Sequence, residues 1–264
     1  MKRWLASLSV AMGVGAVAWG LPLGLRFAAW GARDTGGLTA RDYIQDGLVA
    51  MWDGIENAGW GVHDENATNW YNLASEYEGA YTNAVATKDG RTIWGENCAI
   101  ATNNYNAFYL TGDITKAIAN AQTIEACVNI DSSSANDTII FLNGRSNATY
   151  QYLCLGWYNT QSSIYAAIYR GYKFDLDIYN STHTLVSEFD LAAVDGMVNA
   201  TKSGYSDTWN NPVAISIGGR GPAYYMNGRF YCIRIYNRPL TEAEIKHNYE
   251  IDLKRFGTAG DAAE

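Results

Sequence analysis

Four carboxylates stand in two short stretches where residue type and spacing suit the binding of a metal ion. Asp175 and Asp177 alternate along a predicted strand and therefore share one of its faces. Asp64 and Glu65 follow a histidine in a polar stretch that is typical of a loop. Because Ca²⁺ takes oxygen ligands in proteins, each pair is a candidate Ca²⁺ site, and no other cofactor is suggested. A solvated strand face and a surface turn are the alternatives that need no metal.

Sequence patterns of known catalytic sites are missing from the chain. It contains no metalloprotease H-E-x-x-H, no P-loop, no G-x-S-x-G and no EF-hand loop. Its three histidines offer little for Ser–His or zinc chemistry. Glu125 is a lone carboxylate on a predicted strand, whereas hydrolysis of a glycoside needs a pair of carboxylates. We therefore predict that the protein is not an enzyme.

Aromatic side chains beside amides form a second kind of candidate site. A flat ring stacks on the apolar face of a sugar while amides bond its hydroxyls, and the same groups make good contacts with proteins. Packing at the rim of the fold is the alternative for any one of these rings. The candidate ligand-binding residues are Trp157, Tyr158, Asn159, Trp209, Asn210 and Tyr224.

The cysteines fit two oxidation states. Their spacing matches no zinc motif, and four cysteines allow three disulfide connectivities in an exported protein. Three of them fall in predicted strands, where a free cysteine acts as a small buried apolar residue. We favour reduced core cysteines, although the spacing alone leaves both states open. The four are Cys98, Cys127, Cys154 and Cys232.

Short strands are the elements that must position all of these residues. Hydrophobic residues make up 48 % of the chain and charged residues 17 %, which excludes wholesale disorder. Apolar and polar residues alternate from Gly47 onwards, for example between Thr123 and Ile130. Asn-Gly, Asp-Gly and Gly-Gly pairs separate the strands and form tight turns readily. This pattern predicts one antiparallel sandwich or barrel.

One helix is predicted near the C-terminus. Thr241 and Glu244 have the spacing of a capping box, and Gly257 supplies a stop signal. Between them runs an apolar stripe that would face the body of the protein, made of Ile245, Tyr249, Leu253 and Phe256.

The first 18 residues have the pattern of a secretory signal. Lys2 and Arg3 precede an uncharged apolar run, and the stretch 16–18 fits a cleavage site. Apolar residues continue to Trp30, so an uncleaved anchor or a docking arm is the alternative. We predict a linker or arm at 19–45, a flexible tail at 258–264, and a secreted or cell-envelope location.

The charge balance bears on partners. With 27 acidic and 19 basic residues the net charge is −8. Since nucleic-acid binding depends on neutralising phosphates, we predict no nucleic-acid partner. Membrane contact is expected only through the N-terminal segment, if it is not cleaved.

Three stretches resemble strands of laminin-G-like domains, in the concanavalin A-like lectin and glucanase superfamily. The stretch 227–245 is similar to the family's closing strand and the short helix after it. The stretches 213–220 and 123–128 are similar to its Gly-Gly strand and its T-V-E-A-W-V strand. The resemblance implies an all-β, antiparallel jelly-roll β-sandwich at 46–257, with a short C-terminal α-helix and the apolar N-terminal segment outside it.

The resemblance also bears on the cysteines and on catalysis. Cys127 and Cys232 replace a tryptophan and an acidic residue that the family often has, and by alternation both point away from the most apolar face of their strands. A Cys127–Cys232 disulfide is therefore one testable pairing. The glucanases of this superfamily carry Glu-x-Asp-x-x-Glu on one strand, a run that this chain lacks.

These observations lead to a hypothesis and two alternatives. We predict a non-catalytic, secreted or cell-surface module that binds a glycan or a surface protein, with a homo-oligomer left open. A structural subunit or decoration protein of a surface assembly or virion is the first alternative. A divergent glycoside hydrolase is the second, because this fold hosts several functions.

Overall fold

The structure is a computed structural model. It describes residues 37–76, 85–102, 106–112, 121–133, 138–143, 154–158, 163–166, 170–173, 177–188, 191–200, 215–219 and 225–257. These ranges lie in one of two units of the chain, Asp34–Glu264.

The described residues are mostly β-structure. Their strands, in chain order, are β1 (Leu48–Asp53), β2 (Asn69–Trp70), β3 (Val85–Lys88), β4 (Ile93–Trp94), β5 (Ala99–Ala101), β6 (Phe108–Thr111), β7 (Thr123–Ser133), β8 (Thr138–Asn143), β9 (Cys154–Tyr158), β10 (Ser163–Ala166), β11 (Arg170–Lys173), β12 (Thr182–Glu188), β13 (Leu191–Val194), β14 (Met197–Ala200), β15 (Ile215–Ile217) and β16 (Met226–Tyr236).

Two antiparallel sheets of eight strands each form a β-sandwich, which confirms the predicted fold class. The first sheet has the order β14-β13-β12-β7-β16-β5-β4, and β1 also pairs with β16. The second has the order β11-β10-β9-β8-β15-β6-β3-β2. The long strands β7 and β16 pair at the centre of the first sheet, which makes this pair the frame for the residues described below.

Alternation along β7 explains how the first sheet serves two layers. Ile124, Ala126 and Val128 face the core between the sheets, where Phe108 and Trp157 of the second sheet also lie. The intervening side chains, which include Glu125 and Cys127, point to the outer face of the first sheet. A strand with one apolar and one polar buried face therefore needs a further layer outside it.

That outer layer contains the predicted helix, α1 (Glu242–Phe256). The capping box is present: the Thr241 hydroxyl accepts a hydrogen bond from the N–H of Glu244, whose carboxylate accepts one from the N–H of Thr241 at 2.8 Å. Gly257 ends the helix at φ 86°, in the region that favours glycine. Ile245, Ile251 and Phe256 pack on the outer face of the first sheet.

The segment that precedes β1 joins the same layer. A 3-10 helix at Ala40–Asp42 begins at Thr39, whose hydroxyl accepts from the N–H of Arg41. Tyr43 follows and is buried against the helix layer. The end of the stretch expected to be a linker or arm therefore packs on the sandwich. No helix among the described residues is both long and apolar enough to span a membrane.

Candidate functional site

Charged side chains are buried between the first sheet and α1. Arg234 of β16 donates from Nε to Glu125 of β7 at 2.8 Å, and its two terminal nitrogens donate to the carboxylate oxygens of Asp252 at 2.8 and 2.7 Å. All three side chains are at most 2 % exposed. Although burial opposes the charged form, Asp252 and Glu125 raise the pKa of Arg234. Its guanidinium is therefore a fixed positive charge inside the protein.

A second buried arginine extends this group. Arg255 of α1 donates to Asp53 and Glu56, at 3.1 and 3.2 Å from Nη2, and Tyr43 donates to Asp252 at 2.6 Å. We call these seven side chains the ionic network; they are Tyr43, Asp53, Glu56, Glu125, Arg234, Asp252 and Arg255. Buried charges that are paired in this way fix the position of α1 on the sheet.

A pocket of about 160 Å³ opens next to the ionic network. Its walls come from β7, from the start of β12, from the turn between β13 and β14, and from α1. Asp252 belongs both to the ionic network and to this wall. The lining residues are Cys127, Thr182, His183, Thr184, Asp195, Tyr249, Asp252, Leu253 and Gly257.

Ser181, His183 and Asp195 form a chain of hydrogen bonds at this pocket, which we call the Ser181 cluster. His183 Nδ1 lies 2.7 Å from Asp195 Oδ2, and His183 Nε2 lies 2.7 Å from Ser181 Oγ. Because a carboxylate only accepts hydrogen bonds, a neutral imidazole here carries its proton on Nδ1 and leaves Nε2 to accept from the serine. Ser181 also lies 3.4 Å from the carbonyl of Tyr179, a longer contact.

A tight turn holds Asp195 in place. Asp195 and Gly196 connect β13 to β14 with φ values of 51° and 73°, which is the conformation of a two-residue hairpin. The N–H of Thr184 donates to Asp195 Oδ1 at 3.0 Å, and the N–H of Asp195 donates to the carbonyl of Thr184 at 2.9 Å. Asp195 Oδ2 therefore points to His183.

Tyr249 of α1 closes the pocket above this turn. A Cβ at Gly196 would lie only 3.1 Å from Cδ1 of its ring, so glycine allows the close approach. Burial, and then the charge of Asp195, raise the pKa of Tyr249. Its hydroxyl therefore stays protonated at neutral pH and is able to donate a hydrogen bond.

The Ser181 cluster brings a serine, a histidine and an aspartate into contact, which the sequence analysis did not predict. Sequence reasoning missed it because its members come from a turn, a strand and a second turn, with no fixed motif between them. The only local signal is the Asp195-Gly196 pair, which predicts a tight hairpin. That pair does not reveal which side chain the aspartate will meet.

Three of the four carboxylates proposed as metal ligands are described, and none of the three lines the pocket. Asp64 and Glu65 are exposed, and Asp64 Oδ1 accepts from the N–H of Asn66 at 2.8 Å. Asp177 is exposed and accepts from the N–H of Tyr179 at 3.0 Å, while Asp175 is outside the described residues. Within the described ranges, no three His, Cys, Asp or Glu side chains could hold a metal together.

The aromatic candidates are only partly described. Trp157 is 2 % exposed and packs between the two sheets. This corrects the expectation for Trp157, because a ring inside the core cannot stack on a sugar. Tyr158 ends β9, and of its side chain nothing is described. Asn159, Trp209, Asn210 and Tyr224 lie outside the described residues.

Cys127 and Cys232 are neighbours but are not bonded. They are directly paired across β7 and β16, beside an irregularity of the strand register, and both are buried free thiols. Burial raises the pKa of both thiols well above the usual value, so they stay protonated at neutral pH. The two cysteines are therefore close together, as expected, but the Cys127–Cys232 disulfide is not formed.

Several solved structures to which this chain is similar are sialidases. The chain is similar to Trypanosoma rangeli sialidase in complex with sialic acid, with a TM-score of 0.56 and 15 % identity over 77 % of this chain and 32 % of that one. It is also similar to the same organism's sialidase in complex with 2,3-difluorosialic acid, described as a covalent intermediate, with a TM-score of 0.55 and 16 % identity over 77 % and 33 % of the two chains.

At this identity the likeness concerns the fold, and the chain spans about a third of the length of these sialidases. No protein-family profile matches the chain, and no curated protein matches it in sequence.

These neighbours correct two predictions. Because sialidases are glycoside hydrolases, they contradict the prediction of a non-catalytic binding module and the prediction that the protein is not an enzyme.

Proposed function

We propose that the protein acts on glycans, in the glycoside-hydrolase class of its structural neighbours. The observation that carries this proposal is the match of 77 % of the chain, with a TM-score of 0.56, to a sialidase in complex with sialic acid. Because the chain spans 32 % of that sialidase, the proposal concerns the class of activity and does not assign the sialidase's own catalytic residues to this chain.

The pocket next to Thr184 is the place we assign to glycan contact. Asp195 supplies carboxylate oxygens that accept hydrogen bonds and Tyr249 supplies a hydroxyl that can donate one, which suits sugar hydroxyls. The volume of about 160 Å³ is below the range of about 300 Å³ and more that holds a drug-sized ligand. The pocket would therefore receive one substituent of a sugar, while the rest of the glycan lies outside.

We also propose a superfamily and a cellular location for the protein. The stretch 227–245 and the sandwich support membership of the laminin-G-like, concanavalin A-like superfamily. The basic start and apolar run of the first 18 residues support a secreted or cell-envelope location, where glycans are exposed.

The proposal is tested with the purified full chain on a panel of fluorogenic glycosides that includes a sialoside, and by binding to immobilised glycans. We expect turnover of at least one glycoside, reduced about tenfold by Tyr249→Phe, which removes one hydrogen bond. Asp64→Asn, which changes an exposed carboxylate in a turn, is the matched control. Absence of turnover across the panel, with or without binding, would refute the proposal.

A further inference from the structure

We propose that the Ser181 cluster is a reactive site of this protein, which hydrolyses esters of small acyl groups. Ser181 would be the nucleophile, His183 the general base, and Asp195 the carboxylate that orients the base. Such a site is recognised by geometry and by the roles of its members, not by their order in the chain.

The two hydrogen bonds have the required lengths. Both Ser181 Oγ–His183 Nε2 and His183 Nδ1–Asp195 Oδ2 measure 2.7 Å, inside the range of about 2.6–3.2 Å over which a base can take a proton. The N–H of Thr184 occupies the other oxygen of Asp195 at 3.0 Å, which aims Oδ2 at the imidazole.

The scaffold holds the base rigidly and leaves the nucleophile accessible. His183 is 6 % exposed and lies on β12 opposite Val128 of β7, within a sheet of eight strands. Ser181 precedes that strand and is only half-buried. A substrate can therefore reach the hydroxyl without any movement of the imidazole.

His183 and Asp195 line the pocket, and Ser181 is next to the lining residue Thr182 in the chain. We assign this pocket to the acyl group of the substrate. Its volume of about 160 Å³ suits an acetyl-sized group and excludes a long acyl chain. Tyr249 contributes a protonated hydroxyl to the same pocket, and we assign it as the donor to the carbonyl oxygen of the ester, where negative charge develops.

The reaction balances with water as the only co-reactant. Ser181 Oγ forms a bond to the carbonyl carbon while its proton moves to His183 Nε2. The bond from that carbon to the alkoxy oxygen then breaks, and the alcohol leaves with the proton from His183. Water attacks the acyl-serine, gives one proton to His183, and releases the acid, after which Ser181 recovers its proton. No oxidation or reduction occurs.

The natural ester is an O-acylated sugar, and this part of the inference rests on the proposed function. The ester chemistry itself does not, because a simple ester contains no sugar. Hydrolysis of simple esters without any activity on glycans would refute the function proposed above and leave this inference standing. Activity on glycans without hydrolysis of simple esters would refute this inference and leave the proposed function standing.

A purely structural role for the cluster makes a different prediction. Asp195 and His183 also fasten the β13–β14 turn to β12, so loss of either could lower stability alone. Removal of the Ser181 hydroxyl leaves both of these contacts in place. The serine variant therefore separates the two roles, since only a reactive cluster loses chemistry when Ser181 changes.

The test uses the full chain with p-nitrophenyl acetate, p-nitrophenyl octanoate and a fluorophosphonate that labels reactive serines. We expect turnover of the acetate above that of the octanoate, a covalent adduct that peptide mapping places on Ser181, and a loss of about 100-fold or more in kcat/KM for Ser181→Ala and His183→Gln. The adduct should disappear in His183→Gln.

Thr68→Ala removes an exposed hydroxyl that is not part of the pocket lining and should keep wild-type rates. His247→Gln removes an exposed imidazole whose Nε2 lies 2.9 Å from the carbonyl of Asp42, and it should keep wild-type rates as well. The inference is refuted if Ser181 carries no adduct, or if Ser181→Ala hydrolyses the acetate as fast as the wild type. Either result would mean that the cluster has only a structural role, which is to hold the β13–β14 turn on β12.

Discussion

Two groups of polar side chains meet at Thr184, and they differ in what surrounds them. The Thr184 hydroxyl donates to Asp252 of the ionic network at 2.8 Å, while its N–H donates to Asp195 of the Ser181 cluster at 3.0 Å. Arg234 at the centre of the network is fully buried, whereas Asp195 is 18 % exposed beside a pocket. Thr184 of β12 thus contacts both the buried ionic network, through its hydroxyl, and the partly exposed Ser181 cluster, through its N–H.

The difference indicates separate roles. In the ionic network each arginine has carboxylate partners, so its members cannot change partner without leaving a buried charge unpaired. In the Ser181 cluster the last hydrogen bond ends on a half-buried hydroxyl, which can exchange its partner for a ligand. The network holds α1 against the sheet, and α1 in turn supplies Tyr249 to the pocket wall.

Arg234→Met should give the largest effect. It leaves Glu125 and Asp252 buried without their cation, so we expect the free energy of unfolding to fall by about 3–5 kcal/mol, or folding to fail. Urea titration followed by tryptophan fluorescence measures it. The matched control is Arg229→Met on the same strand, whose ion pair with Asp131 is about 40 % exposed on both sides and should cost less than about 1 kcal/mol. An equal fall in the free energy of unfolding in the two variants would contradict the claim that the ionic network holds α1 on the sheet.

Glu188 should make stability depend on pH. It accepts from the Thr123 hydroxyl and the N–H of Leu240, both at 2.8 Å, and burial raises its pKa to about 7. The folded protein therefore keeps a proton that the unfolded chain loses above its ordinary pKa of 4.5. As pH rises from 4.5 to about 7, this group should lower stability by up to about 3 kcal/mol, with no further loss above that.

Glu188→Gln removes the titrating group and should flatten this profile. Unfolding titrations of both proteins between pH 4.5 and 8 measure the difference. Parallel profiles would mean that Glu188 is ionised in the folded protein throughout the range, contrary to the effect of its burial.

Tyr43→Phe should show that the ionic network and the Ser181 cluster act independently. It removes a buried hydrogen bond to Asp252 of 2.6 Å, so we expect a loss of about 1–2 kcal/mol in unfolding free energy. The reactivity of Ser181 toward the fluorophosphonate should not change, since Tyr43 belongs to the network alone. Reactivity that falls together with stability would show that the two groups act as one.

Glu244→Gln should give the smallest effect. The side-chain hydrogen bond from Arg238 lowers the pKa of Glu244 to about 2, so its contribution is present above its ordinary pKa of 4.5 and is lost as pH falls through about 2. Because this side chain is 24 % exposed, we expect the free energy of unfolding at pH 7 to fall by about 1 kcal/mol or less. Thermal unfolding of the two proteins measures the difference. No difference between the two proteins at pH 7 would show that solvent screens the pair completely.

Local patterns explain why the fold was largely predictable. Alternation along β7 assigns Ile124 and Glu125 to opposite faces, and Thr241 with Glu244 marks the start of α1 through contacts within four residues. Both signals belong to the element that they describe. The sandwich then follows, because each strand has an apolar face to bury.

The candidate site depends on longer connections. Asp195 meets His183 only because β12, β13 and β14 form consecutive antiparallel pairs, and alternation along the chain does not specify that register. Trp157 looked like a surface ring because an asparagine follows it, yet pairing of β9 with β8 and β10 places it in the core. Such placement comes from tertiary structure.

The central claim is that the pocket beside Thr184 contacts glycans while the buried arginines of the ionic network do not. The most direct measurement is a nuclear magnetic resonance titration of the labelled full chain with methyl α-sialoside, recording the His183 ring and the Arg234 Nε–H in one sample. We predict saturable shifts of the His183 signals with the Arg234 signal unchanged. Unchanged His183 signals at millimolar sialoside, or shifts at Arg234 alone, would contradict the claim.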